Sequence, residues 1–489
     1  MNAIRPAISW IEVARQRLIV PRAVLWVIAA ATLGVLCALS AMRINGSEVT
    51  ADAAQNLQMG INLAHHGTIS LDEGAPWHPT MYREPLPVAF NAAMVRLEDH
   101  FLGAAEATRY FTGARAAFIK YQNVLWAALL WSSVFAATRW LSGSLLLALI
   151  ATLYAVRPFL GASSAEGVND LYTELPGATL LTFGSLALAA ATVCERRGLM
   201  IGAGLILGLA TLTKAATLYV VAVLVLVLAA TWAARASPPA RRRRGSLLVW
   251  LIVSFLIVVA PWLTRNLADF GRVQISERGG LTLYTRALLD SMTPLEYRGS
   301  FYVWARPGWQ RQLGSWLGFT PRDLEQGGRL QRLSQVPGSE LERHDMAAED
   351  AGRPQDAVTF YYQARAMRVR LEQRLERGGA PYPDVSADFR MQSMALAQIR
   401  RHPAHHFAVV VPLLWRGALI AFPALLAGLA YSLCTRRYRL ACFLLPGLLT
   451  LCFYALLTHF EARPSLVVHG VEAAVLLLML QALWRRALS

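Results

Sequence analysis

Lysine is almost missing from this chain. Lys120 and Lys214 are the only two in 489 residues, while arginine is abundant. That usage points to a GC-rich bacterial source and makes each lysine conspicuous. Cysteine is scarce as well. Cys37, Cys194, Cys434, Cys442 and Cys452 all lie in or beside apolar runs. No pair has metal-ligand spacing and none falls in a polar segment, so neither a structural disulfide nor a cysteine metal site is expected. Charge is thin: 16% of residues are charged against 55% hydrophobic. Such a balance argues against a soluble protein. A glycine-rich phosphate loop of nucleotide type is absent, and so is a paired-aspartate cluster of the kind that holds a nucleotide sugar, which disfavours a soluble nucleotide donor. The net charge of +16 does not indicate nucleic acid, because the arginines cluster between apolar runs, as the positive-inside bias requires.

Several apolar runs reach the roughly 20 residues that a bilayer crossing needs. Only helices and closed barrels satisfy their backbone groups in lipid. The fold class expected is therefore an all-α polytopic membrane protein with about ten transmembrane helices. The crossings are placed at 21–42, 118–137, 144–160, 175–193, 199–234 (a pair), 246–263, 407–433, 440–457 and 466–483. The first run is long and reads as an uncleaved helix rather than a signal peptide. The 199–234 run is apolar except for Lys214 and is flanked by arginines on both sides. It is too long for one crossing at about 1.5 Å per residue, so it reads as a hairpin with its outer turn near Lys214. Residues 1–264 form an N-terminal transmembrane module with an acidic first outer loop at 43–117. Residues 265–404 form an outer polar segment, and 405–489 the C-terminal crossings. Within the first loop, Leu57, Ile61 and Ala64 share one helical face and Phe90, Ala93, Met94 and Leu97 another, which predicts amphipathic helices at the membrane surface. Within the polar segment, helices are expected at 354–377, opened by its proline, and from 386 to just before Pro403. Its aromatics, among them Tyr297, Tyr302, Trp304, Trp309 and Trp316, either line a site or sit at headgroup level.

On this topology the termini are cytoplasmic, and one face collects charge of both signs. It holds Glu48, Asp52, Asp72, Glu73, Arg83, Glu84, Glu166, Asp170, Glu174, Lys214, Arg265 and Arg463. The inner loops hold almost only arginine. Cations can grip a lipid phosphate, arginine through a bidentate fork. A carboxylate can take a proton from an incoming hydroxyl. The plain alternative is a solvated loop, with Lys214 snorkelling at a helix end. Asp52 and Glu48 compete as the catalytic base. A divalent metal at the acidic loop is compatible with these residues, but no spacing calls for one.

The first-loop Asp52, the YREPLP stretch beginning at Tyr82, the YTEL beginning at Tyr172, GLATLTK ending at Lys214, APWLTRN ending at Asn266 and IRRHPAHHF before residue 408 occur in order along most of the chain. In these features the chain resembles the GT-C membrane glycosyltransferases, in the branch that includes protein O-mannosyltransferase-like enzymes and the lipid A aminoarabinose transferase. The resemblance implies a hexosyl or pentosyl donor on a polyprenyl phosphate, transfer on the outer face of the bacterial inner membrane, and inversion at the anomeric carbon. It gives Asp52 the place of the catalytic first-loop aspartate. Arg83, Lys214 and Arg265 take the places of cations around the donor phosphate, and Glu174 the Thr-Glu position. Glu84 and Arg463 join them as substrate-binding candidates. Three departures stand out: Asn56 where a tyrosine is common, Lys214 where arginine is common, and Pro464 after Arg463 where a tyrosine is usual. The acceptor, whether lipid, glycan or protein, is left open. Two rivals remain: a lipid or glycan flippase, and a non-catalytic assembly subunit of the same fold. A flippase wants charge along a path through the bilayer, whereas here it gathers at one face.

Overall fold

The computed structural model describes residues 22–161, 167–235 and 237–488. Among these, every regular element is helical. Seven helices are long and apolar enough to cross a membrane, in the stretches Trp26–Arg43, Gly113–Ser142, Glu174–Cys194, Ala216–Ala234, Pro239–Phe270, Tyr438–Leu457 and Arg463–Ala487. The other three expected places hold shorter or broken elements: the apolar helices Leu145–Leu160 and Arg197–Thr213, below that length, and the bent pair Pro403–Ala418 with Ala421–Cys434, so seven helices, or eight with the pair, reach the length where about ten were expected. The protein is a multi-pass membrane protein. Glu166, expected on the charged face, lies outside the described residues.

The break within 199–234 falls at Lys214. Arg197–Thr213 ends there, Lys214 is extended, and Ala216–Arg235 begins two residues on. Helix Arg197–Thr213 lies against Pro238–Phe270 through Gly204 and Gly208, where the backbones nearly touch. The main core joins helices Gln122–Ser142, Glu174–Cys194, Tyr438–Leu457 and His469–Leu488 through Leu181, Phe443, Leu451 and Val471. A second cluster, with Trp131, Phe159 and Leu175, fills the space beside Leu145–Leu160.

Several boundaries move from their expected places. The crossing placed at 246–263 is a single helix, Pro238–Phe270, that carries the arginine run as its first turns. Arginine and leucine are good helix formers, so charge ends the crossing without ending the helix. The helix expected from residue 354 starts at Phe360, because Thr359 caps it by accepting a hydrogen bond from the amide of Tyr362; a capping hydroxyl outweighs the upstream proline. The second expected helix is Pro383–Arg401. Helices Gly279–Leu289, Pro294–Val303, Pro307–Leu317 and Glu340–Asp350 were not expected. The stretch 407–433 is bent by 104° at residues 419–420 rather than straight.

In the first loop, helices Ala51–His66 and Pro85–Leu102 pack together. Leu57 and Ile61 are buried, as their spacing suggests, with Ala64 at the edge. In the second helix the buried face is Val88, Ala92 and Val95, while Ala93 and Leu97 point outward. Gly60 allows the approach: a Cβ there would meet the Asn91 Cβ at 2.6 Å.

Candidate active site

Asp52 lies in the first turn of Ala51–His66, where the helix N-terminus favours an anion. The preceding Ala51 has φ +52, a left-handed conformation that costs a non-glycine residue about 1–2 kcal/mol. Three guanidinium groups hold the Asp52 carboxylate. Arg83 pairs with Oδ1 and also with Gln55. Arg278 Nη1 lies 3.3 Å from Oδ1, and Arg463 Nη2 donates to Oδ2 at 2.6 Å. Burial pushes the Asp52 carboxyl up, but the charges of Arg83 and Arg278 and the hydrogen bonds from Arg83 and Arg463 outweigh it and hold it far below the usual carboxylate range.

Arg463 carries the chain of contacts onward. Its Nε lies 3.6 Å from Glu174 Oε1, which also accepts from Lys214 Nζ at 2.7 Å. Glu174 opens helix Glu174–Cys194 and is 1% exposed, and its Oε2 has no hydrogen-bond partner among the described residues. Glu84 accepts from the amide of Ala215 at 3.3 Å and so sits beside Lys214. Four cations, Arg83, Arg278, Arg463 and Lys214, are thus joined by ion pairs to two carboxylates, Asp52 and Glu174.

A small, partly open pocket adjoins this cluster. Leu86, Phe90, Trp126 and Leu171 line it together with the side-chain amides of Asn91, Gln122 and Asn123, and Tyr172, Pro176 and Thr213 complete its wall. Tyr172 lies under Arg463, 5.0 Å from ring centre to guanidinium carbon. Thr213 and Pro176 flank Lys214 and Glu174 in sequence. A small pocket of mixed polar and apolar lining therefore lies beside the cationic cluster.

Not every expected residue belongs here. Arg265 is not joined to this chain of contacts: it pairs with Asp269 at 2.9 Å, donates to the carbonyl of Thr80 at 3.0 Å, and lies 4.9 Å from the rings of Trp262 and Phe270. Glu48 and Glu73 are exposed. Asp72 is tied into its own turn by Ser70 and His78. The backbone carbonyl of Asp170 receives the amide of Asn123 at 2.6 Å.

Three participants were missed. Arg278 sits at the start of helix Gly279–Leu289, in a stretch where nothing local sets it apart from its neighbours. Tyr82 has Arg83, Arg278 and Arg368 within 5.2–5.5 Å of its ring centre. Glu277, fully buried, accepts from Arg368 at 2.8 Å. Burial, with Asp384 nearby, overrides Arg368 and pushes its carboxyl up to about 8. Beyond Arg463, His459 forms part of a second cleft with Trp304, Gln335, Tyr361 and Arg416. Burial, with the charges of Arg416, Arg278 and Arg463, lowers its pKa to about 4 although Glu461 opposes this, so the imidazole is neutral at pH 7.

No protein-family model and no curated protein matches the chain. Solved structures with a similar trace include the oligosaccharyltransferase AglB of the archaeon Archaeoglobus fulgidus, in complex with an inhibitory peptide and a dolichol-phosphate. It is 14% identical over 94% of this chain and 51% of that one, with a TM-score of 0.44. ArnT from Cupriavidus metallidurans, bound to undecaprenyl phosphate, is 14% identical over 92% of this chain and 77% of that one, with a TM-score of 0.36. This chain spans about half the length of AglB. At these scores the likeness is too distant to carry a function to this chain.

Proposed function

We propose that the protein is an inverting membrane glycosyltransferase of the GT-C kind, which moves a sugar from a polyprenyl-phosphate donor to an acceptor on the outer face of a bacterial plasma membrane. The observation that carries this reading is the excess of cations over carboxylates in the Asp52 cluster, where Arg83, Arg278, Arg463 and Lys214 meet Asp52 and Glu174. Leu86, Phe90 and Trp126 in the pocket wall offer apolar contacts to the first units of an isoprenoid tail. The phosphate then reaches Lys214 and Arg463. The unpartnered oxygen of Glu174 is free to accept a hydrogen bond from a sugar hydroxyl.

The charge balance suits the reaction. A phosphodiester donor carries one negative charge. When the bond from the anomeric carbon to oxygen breaks, the leaving phosphate gains a second. Surplus cations therefore stabilise the transition state more than the bound donor, which is the condition for acceleration. With three guanidiniums on it, Asp52 is a weak base at rest. A phosphate that draws Arg463 and Arg278 toward itself loosens those pairs and raises the affinity of Asp52 for a proton. The acceptor oxygen then attacks the anomeric carbon from the side opposite the leaving phosphate while Asp52 takes its proton.

The test uses the full chain reconstituted in vesicles with a radiolabelled polyprenyl-phosphate sugar and envelope extract from a deletion strain. A new glycosidic product is expected, and Asp52→Asn should lower its rate at least about a hundredfold. Label that crosses the bilayer without any new glycosidic bond would sink the reading in favour of transport. A deletion strain with an unchanged envelope glycan mass would do the same.

A further inference from the structure

Helix Pro307–Leu317 leaves large aromatic rings uncovered. Trp309 is 50% and Trp316 73% exposed. With Leu313 they sit at i, i+4 and i+7, on one flank of the helix. Gln310, Gly314 and Leu317 face the protein on the adjoining flank, and exposed Arg311, Gln312 and Ser315 lie on the far side. The helix has an inner, an apolar and a polar side, arranged around it in that order.

A second helix continues this apolar flank. Pro403–Ala418 stands at 104° to Ala421–Cys434, and the latter packs along Tyr438–Leu457 and His469–Leu488. If those helices cross the bilayer, Pro403–Ala418 runs nearly in its plane. It exposes Phe407 (65%) and Val411 (54%) on one face, and Trp415 prolongs that face by another turn. Trp415 bridges the two helices. Its ring centre is 6.0 Å from that of Trp309 and 5.9 Å from that of Phe301, and its indole N–H donates to the carbonyl of Phe301 at 3.1 Å. Tyr297 adds a hydrogen bond to the carbonyl of Ala408 at 3.2 Å. The result is one continuous aromatic band built on two helices.

We propose that this band, formed by Trp309, Trp316, Phe407, Val411 and Trp415, lies in the bilayer leaflet on the side of the Asp52 cluster and sets the depth of that cluster at the lipid headgroups. The occupant is lipid because the band continues the uncovered face of the bent pair that enters the membrane. Tryptophan is also the residue that favours the boundary between headgroup and acyl chain. Exposed Arg306 precedes the helix, one turn before Trp309, in position to meet lipid phosphate. The depth follows from Arg416. At the end of the in-plane helix it donates to the carbonyl of His459 at 3.2 Å and pairs with Glu461 at 3.1 Å. The same turn carries Arg463, which holds Asp52. The band and the cluster are fastened to one short stretch of backbone.

The test places the full chain in lipid nanodiscs doped with a phospholipid that bears a diazirine on its acyl chain, followed by irradiation and peptide mapping. Adducts on peptides spanning 307–317 and 403–418 should exceed those on the polar helix Glu340–Asp350 by about tenfold, as for an apolar face immersed in the leaflet. Adducts should match in yield those on Ala216–Arg235. The double variant Trp309→Glu, Trp316→Glu should lose the labelling of 307–317 and keep that of Ala216–Arg235. Labelling of either helix only at the level of Glu340–Asp350 overturns the proposal, including the case in which a protein partner covers the band instead.

Discussion

A single carboxylate held by Arg83, Arg278 and Arg463 behaves differently from the same residue in open solvent. Asp52 stays ionised far into acid, so its usefulness as a base depends on what else claims those arginines. Glu277 shows the opposite environment, fully buried against Arg368. Its carboxyl keeps its proton up to about 8, whereas in the unfolded chain it loses it near the ordinary value for glutamate. Between those two pH values the folded state binds the extra proton, so stability falls as pH rises through the window and levels off above it. Glu277→Gln removes this titration. Thermal unfolding of the detergent-solubilised variant should therefore show a flatter dependence on pH from about 5 to about 8. An unchanged slope would mean that Glu277 is not the group responsible.

Helix contacts depend on single atoms. At Gly204 an added Cβ would lie 2.0 Å from Ser254 Oγ and 2.5 Å from the carbonyl of Leu251, while at Gly202 nothing lies within 4 Å. The two glycines are half a helical turn apart, and the same substitution should move them in opposite directions. Gly202→Ala should stabilise by about 0.5–1 kcal/mol through helix propensity. Gly204→Ala should destabilise by about 1–3 kcal/mol through overpacking. Melting temperatures of the purified variants decide, and equal effects would remove the close approach of Arg197–Thr213 and Pro238–Phe270 as the cause. The break at Lys214 works on the same scale. It releases the lysine from the helix and lets its amine reach Glu174 instead of a lipid headgroup.

The polar 265–404 segment and the apolar helices are held together by a buried ionic knot. Arg286, 0% exposed, pairs with Asp290 at 2.5 Å, and Asp290 also accepts from His406 Nδ1 at 2.8 Å. Arg286 donates to the carbonyls of His406 and Ala455 at 2.6 and 3.2 Å. Three distant parts of the chain meet there: the end of helix Gly279–Leu289, helix Pro403–Ala418 and helix Tyr438–Leu457. Asp290→Ala leaves a buried guanidinium without its partner and should cost about 3–5 kcal/mol. Limited proteolysis should show the 271–402 segment cut earlier than in the parent, with the crossings still protected. A variant with parental protease resistance would show that packing alone holds the segment.

Hydropathy determined most of the membrane plan. Apolar length, flanking arginines and the lone lysine located the crossings and the break at Lys214, because each depends on residues near one another in sequence. The first-loop acids and the later cations were also visible as a group on one face. Their partners were not. Asp52 and Arg463 are 411 residues apart, and nothing near Arg278 distinguishes it from the many other arginines. Arg265 has the same local appearance as its neighbours, yet Asp269 holds it one helical turn along its own helix. The 104° bend escaped because Ile420 and its surroundings are apolar on both sides of it, and composition does not record direction. Partner choice among many equal cations, and the angle between two equally apolar helices, were decided by tertiary packing, since both depend on which distant surfaces the chain brings into contact.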